Sequence, residues 1–452
     1  MLQDWLASPS VPRRSRPAGQ QGGGRPLAGA APATGAMGSA LKRLSDRFRP
    51  AGRQVTGAVA TVEPSSGLSE ASPATIPRMK TARLRPVEAP NIVDLFAGPG
   101  GLDVGAAWLG IPTLGIELDE NACATRLSAG LATKRGDVRA FSPVDFPNAN
   151  VLTGGPPCQT FTVAGSGSGR RALGEVIKLI SQMASSSEAT SNPYAFEDDR
   201  TGLVLEPMRW ALEALRADKP YEAIVLEQVP AVLPIWEAFH TALEKFGYGV
   251  AHGIVRTEEY GVPQTRRRAV LIARLNEPNV SLPAPTHQAY RKGKQPDPSA
   301  TRRPWISMAD ALNRETPYTI VSNYGSGGDP RQRGRRTSSE PSATITGKVT
   351  RNRLELPEGG WTRLTFQEAG QLQTFPGDYP WSGKDIGQQI GNAIPPRLAV
   401  HILASVLGID ADSIALDRLA TASWRSFKGG GLFRTDGSTK RTCAPSTDFS
   451  VR

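Results

Sequence analysis

"NIVDLFAGPGGLDVGAAWLG", residues 91–110, is the stretch on which the fold turns. Its apolar start, closing on Asp94-Leu95-Phe96, reads as a buried strand. A Gly-rich turn follows, then an apolar helix. The same alternation returns downstream. "TLGIELD" predicts a second strand ending at Glu117, "NACATRLSAG" a helix, and "GDVRAF" carries Asp137. "NVLTGGPPC" predicts a strand running into a Pro-Pro-Cys turn, and "YEAIVLEQVP" a short strand ending at Glu227. Strands alternating with helices predict an α/β fold, a doubly wound and mostly parallel sheet. "AHGIVRTEEYGVPQTRRRAVLIARL" predicts two strands around a turn, an antiparallel hairpin at one edge.

In such a sheet the ligand sits at the carboxyl ends of the strands. Gly98, Gly100 and Gly101 let backbone approach a ligand closely, and Glu117 follows 19 residues after Gly98. That spacing suits a carboxylate receiving ribose hydroxyls. The next glycine is Gly105, which departs from the dinucleotide spacing and favours a nucleoside cofactor without a pyrophosphate. Asp137 is placed to receive an adenine amino group. A tight strand–helix turn that binds nothing is the competing reading. Cys158 follows Pro156 and Pro157 after a strand, and a polar Gln-Thr-Phe-Thr comes next. Free cysteines are mostly buried and inert, but a rigid turn at a sheet edge suits a nucleophile. Its thiolate form needs an electropositive field, which Arg266 and Arg268 of "QTRRR" could supply. Glu227, leaving a buried strand at the same edge, is a candidate acid or a solvated strand end.

The chain has 452 residues and a net charge of +11. Residues 1–60 carry +7 and residues 418–452 carry +5. Residues 291–354 carry +8, set in an otherwise acidic middle. A basic segment in an acidic body is a candidate polyanion surface, or else a solvated Arg-rich loop. Residues 1–88 read as a disordered basic segment: a transit peptide, or sequence upstream of a later start at Met37 or Met79. Residues 89–275 read as the main α/β domain, and 276–353 as a smaller, irregular, Pro-rich region. Residues 354–409 return to the main domain, and 410–452 read as a basic tail. Three widely spaced cysteines build neither a disulfide framework nor a zinc site and suit a reducing, cytoplasmic setting; no metal is expected. No apolar run approaches the roughly 18 residues of a membrane span.

"DLFAGPGG", "GGPPCQTF", "LEQV", "QTRRR", "RLTFQEAGQLQTFP" and "IGNAIPP", in this order, resemble the DNA (cytosine-5)-methyltransferases over roughly residues 90–408. The resemblance implies the S-adenosylmethionine-dependent methyltransferase fold, with 276–353 as target-recognition region. It implies S-adenosylmethionine as methyl donor and cytosine in double-stranded DNA as acceptor. By resemblance, Cys158 is the nucleophile that attacks C6, and Glu227 the acid that protonates N3. Arg266 and Arg268 match positions supporting the activated base and the active-site loop. Phe96, Gly98, Gly101, Glu117, Asp137, Pro157 and Asn392 match cofactor-contacting positions. A monomer, associated with the nucleoid and accompanied by a restriction endonuclease cutting the same site, would be in keeping with this group.

The chain departs from the family twice. Glu227-Gln228-Val229 stands where the family usually has Glu-Asn-Val. A long stretch also separates Gly165 from Asp198, where the family's active-site loop is shorter, and its "EVIKLISQM" predicts a helix with an apolar face. The alternatives are a tRNA cytosine-5 methyltransferase of the same fold and a non-catalytic DNA-binding relic. A methyltransferase acting on an exocyclic amine is disfavoured, since that reaction needs no cysteine.

Overall fold

The computed structural model describes residues 84–157, 168–185, 202–322 and 334–427. Strand β1 (Ile92–Leu95) is buried along its whole length and pairs in parallel with β2 (Thr113–Glu117) and β4 (Val151–Gly154). β3 (Thr133–Arg135) extends the sheet beyond β2, and β5 (Ala223–Gln228) extends it beyond β4, both in parallel. β6 (Tyr248–Arg256) and β8 (Arg267–Leu275) form the expected antiparallel pair, with the short β7 (Gln264–Thr265) just before β8. The order is β3-β2-β1-β4-β5-β8-β6, so the later hairpin strand lies inside the earlier one. This is the doubly wound, mostly parallel sheet the sequence predicts. Both faces are covered, which is why all four residues of β1 and all four of β4 are buried.

Period-two alternation sends neighbouring residues of each strand to opposite layers. Val93, Leu95, Leu152, Ile224, Leu226 and Leu271 join one core, beneath helices Glu206–Arg216 and Leu233–Glu244. Ile92, Val151, Val225, Val270 and Ile272 join the other, against helices Gly101–Trp108 and Pro396–Leu407. The insertion after the Cys158 turn contributes a helix, Ser168–Met183. Its Val176 and Ile180, one turn apart, are fully buried, and the helix packs on Leu233–Glu244. Ile386–Leu407 is long and apolar enough to cross a membrane, but 78% of its apolar window is buried. It is also divided at Ala393–Pro395, between helices Ile386–Asn392 and Pro396–Leu407.

The region expected to be irregular contains a second sheet. β9 (Thr319–Val321), β10 (Arg335–Thr337), β12 (Arg353–Glu355) and β13 (Trp361–Thr362) pair antiparallel in the order β10-β9-β12-β13. Strands of two or three residues are too short to display an alternation in sequence. Ile320 and Leu354 turn inward onto a third core with Met308, Leu364, Leu372 and Ile390. β11 (Ser342–Ala343) pairs in parallel with β7 and ties this unit to the main sheet.

Residues 1–83 of the expected N-terminal segment and 428–452 of the expected tail lie outside the described residues. Two flanking stretches differ from expectation. Val87 is buried and its N–H donates to Leu407 O at 3.0 Å. Residues 413–421, read as tail, form a helix capped by Asp412, with Leu416 and Leu419 buried in the second core. Only Leu416 and Leu419 of its nine residues are buried, so the inward stripe is too narrow to announce a helix.

The buried face of the inserted helix makes a stability prediction. Ile180→Ala should cost about 2–5 kcal/mol, as for other buried aliphatic truncations. Chemical denaturation reads it; a loss within about 0.5 kcal/mol would mean the insertion is only a surface decoration.

Candidate active site

The carboxyl ends of β1, β2, β4 and β5 open into a cleft of about 790 Å³. Phe96 takes a left-handed φ of +58° to leave β1, and Gly98 and Gly100 follow at +56° and +102°. A Cβ on Gly101 would stand 2.2 Å from the Ile394 carbonyl oxygen, so no side chain fits there. The Gly98 N–H donates to Glu117 Oε2 and the Asp119 N–H to Oε1, each at 2.7 Å. The carboxylate is thereby oriented, while each oxygen keeps a second lone pair. Leu118, 62% exposed, lines the cleft beside it.

Asp137 lines the cleft but is already engaged. Arg139 donates to it from Nη2 at 2.6 Å, from Nε, and from its backbone N–H at 2.9 Å. These hydrogen bonds from Arg139 hold the carboxyl below its usual range. Asn392 Oδ1 accepts from Gln388 Nε2 at 2.7 Å, and Asn392 also borders the cleft.

At the other end, Glu227, the second-last residue of β5, has Arg268 Nε 2.8 Å from its Oε1, both side chains nearly buried. Arg268 faces the same space; burial lowers its pKa and Glu227 opposes that shift. Arg266 lies deeper in the wall. It is 1% exposed, and its guanidinium donates to the carbonyls of Ile345 at 3.1 Å, Gly391 at 3.0 Å and Ala393 at 3.2 Å. It borders the cleft while stapling the small sheet's side of the chain to the Asn392 segment. Pro157 lines the cleft, and the Pro156 carbonyl accepts from Gln228 Nε2 at 2.7 Å. Cys158 itself lies outside the described residues.

The structure therefore gathers Phe96, Gly98, Gly101, Glu117, Asp137, Pro157, Glu227, Arg266, Arg268 and Asn392 around one cleft. Among the described residues, no cluster of His, Cys, Asp or Glu is placed to hold a metal. Other groups escaped sequence reasoning. Arg126, fully buried, makes a bidentate pair with Asp103 at 2.7 and 2.8 Å beneath the Gly-rich turn. Asp94 accepts from Thr153 Oγ1 at 2.6 Å at the cleft floor. Nothing in the sequence pairs positions 23 or 59 residues apart.

With this geometry in place, comparison with known proteins is specific. The family model described as C-5 cytosine-specific DNA methylase matches residues 90–313 and 300–408. The type II methyltransferase M1.HphI of Haemophilus parahaemolyticus is 27% identical over 361 residues, 71% of this chain and 87% of that protein. M.AplI of Arthrospira platensis is 29% identical over 334 residues, 70% of this chain and 85% of its own. Among solved structures, the S. pombe Dnmt2 methyltransferase covers 70% of this chain and 98% of itself, at 17% identity and a TM-score of 0.47. The chain belongs to the C-5 cytosine-specific DNA methylase family and is a DNA (cytosine-5)-methyltransferase.

Asp94 makes the pH prediction. Burial, with Asp103 nearby, raises its carboxyl from 3.8 to about 8. Between those values the unfolded chain releases the proton and the folded one keeps it. Stability from this group is thus complete below the lower value and drains as pH rises through the upper one, by up to about 1.4 kcal/mol per pH unit. Asp94→Asn should remove that slope. The stability of the variant relative to the unaltered protein should climb from pH 5 to pH 8 and then level, in denaturant titrations. A difference independent of pH would refute the assignment.

Proposed function

We propose that this DNA (cytosine-5)-methyltransferase binds S-adenosylmethionine between the Gly-rich turn and Asn392, and flips its target cytosine toward Cys158, Glu227 and Arg268. The observation that carries the reading is the convergence of residues from separated motifs on one cleft, with the Glu227–Arg268 pair and the Pro156-Pro157 turn at its far end. The residues suit the donor. The fixed carboxylate of Glu117 can accept ribose hydroxyls, and exposed Leu118 offers an apolar surface for an adenine ring. Asp137 would share its acceptor capacity between Arg139 and an adenine amino group. Phe96, Gly98, Gly101, Pro157 and Asn392 complete the wall. Bound there, S-adenosylmethionine supplies an electrophilic methyl group.

Carbon 5 of cytosine is a weak nucleophile. Addition of the Cys158 thiolate at C6, with Glu227 protonating N3, turns C5 into an enamine carbon able to take the methyl group. Loss of the C5 proton then restores the ring and expels the cysteine. The thiolate must approach perpendicular to the ring, so the base leaves the duplex stack. Arg268 orients Glu227 through their 2.8 Å contact. Arg266, by its carbonyl contacts, fixes the wall around the base site. A cognate endonuclease cutting the same site is the partner this reading implies.

Bisulfite sequencing of DNA from expressing cells identifies the site. A duplex with 5-fluorocytosine at that site should then give a detergent-stable adduct, dependent on S-adenosylmethionine and mapped to Cys158, because fluorine cannot leave C5 as a cation. Cys158→Ser should give none, and Glu227→Gln should slow methyl transfer by about 10²–10⁴-fold. An adduct mapped to Cys123, or full activity of Cys158→Ser, would overturn the mechanism.

Recognition is assigned to the region beginning at residue 276. Because β12 and β13 complete the small sheet, an exchange should run through Thr362 rather than stop at 353. A chimera carrying a relative's segment over that span should methylate the relative's site with its affinity for S-adenosylmethionine nearly unchanged. A folded chimera retaining the original site would contradict this.

A further inference from the structure

The turn that precedes Cys158 has an unusual backbone problem. Gly155, Pro156 and Pro157 present a single N–H among them, because proline has none. That N–H is taken, donating to Leu95 O at 3.2 Å. The turn can otherwise be held only by donors that reach its carbonyls. Pro156 is buried, and its carbonyl is met by Gln228 Nε2 at 2.7 Å. The other end of the same amide is fixed too, since the Val229 N–H donates to Gln228 Oε1 at 2.5 Å. One partner needs a donor and the other an acceptor, so the amide cannot flip without losing both contacts.

We infer that Gln228 is a positioning residue for the nucleophile turn, clamping Pro156 to the end of β5 beside Glu227 through a two-ended amide bridge. It acts through the turn and touches no reacting atom. The inference rests on the reading of Cys158 given above. Its particular content is length. Gln228 stands where the family usually has asparagine, and asparagine is shorter by one methylene, about 1.5 Å of reach. In this chain the longer side chain spans from β5 to the turn, so the family's own residue should not replace it.

Single-turnover methyl transfer, at saturating DNA and S-adenosylmethionine, tests this. Gln228→Asn should slow transfer and 5-fluorocytosine adduct formation in parallel by roughly 10–100-fold, the scale of a misplacement of about 1 Å. DNA and S-adenosylmethionine dissociation constants should stay within about twofold, since both ends of the Gln228 amide are taken by protein backbone. Gln228→Glu keeps the length but turns a carboxylate oxygen toward the Pro156 carbonyl, so it should be slow at pH 8. Its rate relative to the unaltered enzyme should recover as the pH falls and the carboxyl regains a proton to donate. A merely structural side chain would not give that recovery. Folded Asn and Glu variants that react at the unaltered rate, or a Glu variant whose relative rate is flat with pH, would overturn the role of Gln228. An unaltered enzyme that forms no adduct would instead overturn the reading of Cys158.

Discussion

The cleft depends on a contact between parts of the chain nearly 300 residues apart. Gly101, at the start of the helix after β1, passes so close to the Ile394 carbonyl that a single added carbon would collide with it. That approach lets residues 391–394 form a wall opposite the Gly-rich turn. Arg126 and Asp103 support the turn from below, and Tyr379 closes the same corner by donating its hydroxyl to Pro99 O at 2.6 Å. A buried ion pair adds little net stability compared with apolar packing, but losing one partner is costly. Its value here lies in fixing the turn's path.

Arg266 applies the same logic between units. A guanidinium buried without a carboxylate partner would be expensive. Three carbonyl oxygens from two segments answer it instead. Gln264, two residues earlier, accepts from the Ile345 N–H and donates to Gln373, which in turn donates to Ile390 O. The small sheet's connection and the Asn392 segment are thus cross-linked through one buried polar network. Breaking one bond of such a network leaves its partner buried and unpaired, which keeps the two segments from sliding independently.

How much of this was legible follows from the kind of signal involved. β1 announced itself because a strand buried on both faces is mostly apolar, with Asp94 its one interruption. Glu117 could be placed from a spacing, since a strand–turn–helix unit has a nearly fixed length. The ordered motifs named the reaction. The small sheet was hidden because its strands span two or three residues and its core draws on Leu364, Leu372 and Ile390, assigned elsewhere by sequence. The charge of Arg266 is plain in the sequence, but its direction depends on carbonyls 79 to 127 residues away. Asp103–Arg126 and Asp94–Thr153 were invisible for the same reason: a buried polar pair has no period.

The substitution at Gln228 shows how a departure from a family pattern becomes interpretable only with coordinates. In sequence it stood as an altered residue beside an intact glutamate and supported the idea of a lapsed enzyme. In the fold, the altered side chain is bonded at both ends and meets a carbonyl that its proline neighbours cannot serve. A relic would have no reason to retain a rigid, donor-poor turn together with a side chain long enough to hold it. The proline pair and the glutamine are better understood as a single device. The prolines remove backbone freedom but also remove donors, and the longer amide on the adjacent strand restores the anchor they took away. Rigidity without the anchor would leave a stiff turn free to tilt as a unit. The anchor without the prolines would hold a single point on a flexible chain. A nucleophile that must meet one face of one ring needs both constraints at once.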